Sequence, residues 1–153
     1  MRIIRNVYLL ELIFFILNIE GLSGQTIELS KRQYHLETQK IFNTVIKSIQ
    51  FDNIIDTYRL PIPIFVENDY LPSKYHLVYK GRKISIIDNS HSEGKTYWIF
   101  GHYVIDITTK KPTTATLQLS VISNDRELLI GVRLVKSEQW KIEFWNILVD
   151  GFS

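Results

Sequence analysis

Pro61 and Pro63 separate a stretch whose apolar residues recur every three or four positions from one whose apolar residues recur every second position. Those two periods belong to helix and to strand, and a segment written in one does not settle as the other. Proline lacks the N–H a helix needs and biases its predecessor away from helical geometry, so the helical part must stop here. Upstream, Ser30-Lys31-Arg32-Gln33 has the form of a capping box, with the Ser hydroxyl accepting from the third helical N–H while Gln reaches back. Tyr34, Thr38, Ile41, Phe42, Val45, Ile46 and Ile49 then follow at helical spacing, which predicts an amphipathic helix of about five turns. Asp52 is a second candidate N-cap, leading a short segment that turns Ile54, Ile55 and Tyr58 inward.

Downstream, residues 75–79 and 82–87 flank Lys80-Gly81 and read as a tight hairpin, Gly81 supplying the positive φ. A polar loop over 88–95 leads to four long runs, 97–108, 114–122, 127–136 and 140–149, separated by turn-forming or polar residues. Helix first and meander afterwards, without βαβ alternation, predicts an α+β domain: an N-terminal helix packed on an antiparallel sheet of about five to six strands.

The chain is 45% hydrophobic and 22% charged with no repeat, which fits one folded domain and argues against a disordered chain. Its net charge is +2 and its basic residues are scattered, whereas nucleic-acid binding calls for a concentrated basic stripe, so no nucleic-acid partner is expected. The absence of Cys excludes disulfides, thiolate metal sites and cysteine nucleophiles.

Residues 1–24 read as an export signal. Arg2 and Arg5 precede a short apolar core over 7–19, interrupted by Glu11, and Gly21 and Ser23, or Leu22 and Gly24 as a poorer pair, supply the spacing of two that cleavage needs. The expected organisation is therefore a signal peptide over 1–24 and a single α+β domain over 25–153, exported to the periplasm or secreted. An uncleaved segment would instead tether the domain to a membrane. Removal of 1–24 takes away Arg2, Arg5, Glu11 and Glu20, so the charge of the remainder stays +2.

Strand alternation sorts the later side chains into faces. Ala115, Leu117, Leu119 and Val121 share one face, as do Leu128, Ile130, Val132 and Leu134, and as do Trp140, Ile142, Phe144 and Leu148. The opposite face is mixed and carries Trp145, Ile147 and Val149, which suits a partner or a second copy of the chain. In the run over 97–108, Tyr97, Ile99, Tyr103, Ile105 and Ile107 form the more apolar set and are expected on the helix. Trp98, Phe100, His102, Val104 and Asp106 would then face away from it.

The segment "IGVRLVKSEQWKIEFWNI", Ile130 to Ile147, in which a strand turns into Trp140-Lys141-Ile142, resembles the last hairpin of the cystatin-like, nuclear transport factor 2-like superfamily. The chain has Glu138-Gln139 where that family commonly has Asp-Gly, and "YHLVYKGRKISII" sits where a family helix would lie. The resemblance implies a highly curved sheet wrapped around a helix, enclosing a cone-shaped cavity. It also implies a superfamily that holds dehydratases, isomerases, polyketide cyclases and noncatalytic binding modules. No catalytic residue carries over from it, because function is not inherited with the fold.

The polar candidates for a cavity or the mixed face are His76, His102, Asp106, Arg133, Glu143 and Asn146. His102 is the one catalytic candidate, since imidazole titrates near neutrality. Asp106 lies roughly 13 Å along the same strand, too far for a dyad. The loop over 88–95 offers Asp88, His91 and Glu93 as oxygen and imidazole donors, but at no recognised metal spacing, and a solvated turn is the plainer reading. No nucleotide-binding or nucleophile-elbow motif occurs, and no metal or cofactor is expected. Pro-punctuated 61–75 would form a lip over a cavity or a connection laid across the core.

These readings converge on an exported noncatalytic binding domain that contacts a protein partner or small apolar ligand through its sheet, with Trp98, Phe100, His102, Arg133, Glu143 and Trp145 as binding residues. The alternatives are a small acid–base lyase or isomerase with a cone-shaped cavity, using His102 or a neighbouring carboxylate, and a secreted inhibitor or immunity-type protein.

Overall fold

A computed structural model describes residues 30–108, 111–124 and 126–152. The expected export segment lies outside the described residues. Helix α1 spans Lys31–Ile46 and opens on the capping box, with Ser30 Oγ accepting from the Gln33 N–H and Gln33 reaching back to the Ser30 N–H. It ends three residues short of the expected Ile49. Lys47 caps it, and Ser48 starts helix α2, Ile49–Tyr58, by accepting from the Phe51 N–H at 3.1 Å. Asp52 is thus not the N-cap but a first-turn residue, where its charge favours the helix dipole.

Among the described residues these two helices precede and pack on one six-stranded, mostly antiparallel sheet that does not close into a barrel. The strands are β1 (Ile64–Val66), β4 (Ser85–Ile87), β5 (Tyr97–Thr108), β6 (Lys111–Ser123), β7 (Arg126–Lys136) and β8 (Trp140–Asp150), in the order β4-β1-β5-β6-β7-β8. The long four form the expected meander. The expected hairpin exists only around its turn: β2 (Val78–Tyr79) pairs with β3 (Arg82–Lys83), and Lys80 and Gly81 both take positive φ, the requirement of a two-residue turn of this hand. Beyond Ile84 the chain leaves the hairpin, and β4 joins the main sheet parallel to β1.

Of four register shifts in the sheet, one of them between Asp106 and Ile107 near the end of β5, three decide which side chains face the helices. In β5, His102 and Tyr103 together span the position opposite Leu117, because Gly101 pairs with Gln118 and Val104 with Thr116. The extra residue is His102, at φ 32. Before it the even-numbered residues face the helices; after it the odd-numbered ones do. Trp98 and Phe100 are therefore wholly buried on the helix side, correcting their expected place on the open face, while Tyr103 is buried as expected. The Asn68 side-chain amide donates to the Phe100 carbonyl at 2.7 Å, beside the bulge.

The same device acts twice in β8. Leu134 pairs with Ile142 but Arg133 with Phe144, so Glu143 is extra; Ile130 pairs with Ile147 but Leu129 with Val149, so Leu148 is extra. Trp145 and Ile147 consequently share a face with Val132 and Ile130, toward the helices, and Trp145 packs against the core. Phe144, expected inside, lies outside at 45% exposure, and Val149 is outside as expected. Leu148, also expected inside, covers Gly131 from the outer side, where an added Cβ would meet it at 3.3 Å.

The inner face is filled by rings. Phe42 of α1 stacks on Phe100 at 3.9 Å between centroids, Phe100 stacks on Phe65 at 4.9 Å, and Phe51 of α2 lies 4.6 Å from Trp98. Truncating Phe100 to Ala removes the ring shared by both stacks and should cost about 3–5 kcal/mol. Truncating Thr116, half-buried on the outer side, should cost less than about 1 kcal/mol. Denaturant unfolding midpoints of the two variants measure the difference.

Candidate functional site

The inner face offers little chemistry. Among the described residues the buried polar ones are Thr38 and Ser92, and Trp98 Nε1 is a buried side-chain donor without a partner. Thr38 Oγ1 donates to the Tyr34 carbonyl and lies 3.2 Å from the Tyr103 hydroxyl, whose pKa burial pushes up, so Tyr103 stays a neutral phenol. The half-buried His35 ring reaches its border, with Nδ1 2.8 Å from the buried Tyr75 hydroxyl, and Phe42, Phe65 and Phe100 pack the space between helices and sheet.

A groove of about 520 Å³ opens instead between α1, residues 76–78 and the β7–β8 turn, with Gln39, Asn43, Lys47, His76, Lys136 and Trp140 in its walls. The sequence holds no signal for it, because its walls come from three distant segments. Much of its polar lining is already engaged. Asn43 donates to the His76 carbonyl at 3.0 Å and accepts from the Val78 N–H at 3.2 Å, standing in for a neighbouring strand.

Beneath it, the Glu37 carboxylate accepts from Lys136 Nζ at 2.7 Å, Trp140 Nε1 at 2.8 Å and Lys40 Nζ at 3.0 Å. Burial alone would raise the pKa of Glu37; the bonds from Lys136, Lys40 and Trp140 outweigh it and hold the pKa at about 2. At its other end, β8 is held by Tyr58 of α2, whose hydroxyl donates to Asp150 at 2.6 Å. Glu37 and Tyr58 thus fasten β8 at both ends to the two helices.

That fastening leaves the outer face of β7 and β8 as a fixed platform. Phe144 and Val149, 45% and 43% exposed, lie on it with half-buried Leu129, Val135 and Leu148. Arg133 and Glu143, two of the expected binding residues, meet there: Arg133 Nε donates to Glu143 Oε2 at 3.1 Å, each side chain about half exposed. His102 is exposed at the β5 bulge, and Asp106 and Asn146 share the outer parity through their pairs Thr114 and Gly131. The remaining expected binding residues, Trp98, Phe100 and Trp145, belong to the inner side. Phe144 and Leu148 are the outer residues that alternation alone missed.

Other candidates stay apart. His76 is exposed at the groove, and His91 is exposed with its ring 3.1 Å from Ser90 Oγ. Asp88 caps a short 3-10 turn by accepting from the Ser90 N–H. Among the described residues no group of three His, Cys, Asp or Glu is placed to hold a metal ion. The segment 61–75 is fastened down, with Asn68 accepting from the Tyr70 and Leu71 N–H groups and Glu67 from the Ser73 N–H.

Because the folded-state pKa of Glu37 is depressed, its stabilisation is complete above the ordinary carboxylate range and fades as pH falls from about 4.5 to about 2. Glu37→Gln should be less stable than wild type at neutral pH, and the gap should close across that window, as unfolding midpoints against pH would record.

Comparison with protein-family models, curated proteins and solved structures finds no match for this chain.

Proposed function

We propose that the chain is an exported, noncatalytic binding domain of the cystatin-like kind that takes a protein partner on the outer face of β7 and β8. The observation that carries this reading is the run of Phe144, Val149, Leu129, Val135 and Leu148 across two paired strands, with no helix over it among the described residues. Apolar side chains collected on one rigid face, bordered by polar groups, are the mark of a surface meant to be covered. The export part rests on Arg2, Arg5 and the apolar core over 7–19.

Two other uses of the sheet receive less support. A small apolar ligand or an acid–base reaction inside the cone needs room and converging titratable groups. Phe42, Phe65 and Phe100 fill that room, and His102 stands outside on an exposed bulge.

A photoreactive phenylalanine analogue at position 144, in the cells that make the protein, should give cross-linked protein adducts. The same analogue at Leu36, 52% exposed on α1, should give none. Adducts from Leu36 with none from position 144 would sink the reading.

A further inference from the structure

Resting on the open-face reading, we infer that the partner of the β7–β8 face is a second copy of this chain, docked about a two-fold axis beside the Arg133–Glu143 pair. A surface that packs against itself must present, for every charge, the opposite charge at a two-fold-related place. The outer face of β7 and β8 meets that condition at its middle. One guanidinium and one carboxylate lie 3.1 Å apart, each about half exposed and each able to take a further bond.

Turning a second copy through 180° sets its carboxylate against the first guanidinium and its guanidinium against the first carboxylate. The result is a square of alternating charges whose four members are each paired, the condition that decides whether burying ions is tolerable. The other charges of this face, Lys141 opposite Val135 and Glu127 opposite Ile122, lie toward its ends. Around the square, Phe144, Leu129, Val135 and Val149 supply the apolar area, and these too would meet their own kind. A different protein would need to bring a matching ion pair of its own at that spacing; a second copy carries one by construction. The chain's net charge of +2 puts little long-range repulsion between copies.

The test is sedimentation equilibrium of the exported, cleaved protein over a wide concentration range. Wild type should dimerise. Arg133→Glu makes the square wholly negative and Glu143→Arg makes it wholly positive, so each variant alone should dimerise about a hundredfold more weakly or worse. Mixing the Arg133→Glu chain with the Glu143→Arg chain should restore a dimer containing one of each, resolved by native mass spectrometry. Phe144→Asp, at a side chain already exposed, leaves the ion pair intact and should also give monomer.

A wild type that stays monomeric overturns the inference, as does a dimer indifferent to all three substitutions, or a mixture that stays monomeric. The wider reading fails separately. If the chain is monomeric but position 144 still cross-links to a protein of another mass, the open face has a partner and only its identity as a second copy is lost.

Discussion

The stack of Phe42 on Phe100 is the contact on which the other features turn. It places a helix ring flat against a strand ring at 3.9 Å, in the middle of the inner face. Near-parallel stacking of this kind adds to the area the rings already bury. Phe65, Phe51 and Trp98 extend it on either side, so rings pack the side of the sheet that faces the helices. A domain whose interior is spent on its own rings leaves its outer surface as the larger area open to a partner. That displacement links the core of this molecule to the surface proposed for its partner.

Much of the architecture can be read from the residues. The capping box at Ser30, the helical spacing through Ile46, the Lys80-Gly81 turn and the four long strands all stand where local chemistry puts them. What could not be read is side-chain direction beyond a bulge. An inserted residue reverses every later assignment in the strand, because strand parity has a period of two. In β5 Gly101 was a visible hint, and the set Tyr103 and Ile105 came out right while Trp98 and Phe100 did not. In β8 neither Glu143 nor Leu148 is a residue that announces a bulge, so Phe144 and Trp145 exchanged faces without warning. The parallel joining of β4 to β1 and the groove beside His76 depend on long-range placement and have no local signature either.

The candidate site was therefore only half legible. Arg133 and Glu143 were recognised as polar residues on the outer side of neighbouring strands, and they form the pair on which the two-fold proposal rests. Their register, offset by the bulge at Glu143 itself, came only with the fold. Position also depends on the polar anchors: Glu37 gathers Lys136 and Trp140, and Tyr58 reaches Asp150, so both ends of β8 are tied to helices that lie on the far side. The outer face inherits its rigidity from contacts made on the inner one.

The two irregularities in β8 have a further effect, because this strand ends the sheet. A long, flat terminal strand offers its outward N–H and C=O groups as a template on which other chains can add, the first step of fibril growth. Glu143 and Leu148 break that row at two places and twist it, and Lys141 and Glu143 put charge along it. The face proposed for a partner thus lies beside a border built against indiscriminate strand addition. Removing either extra residue would flatten the strand, and the cost would fall first on solubility.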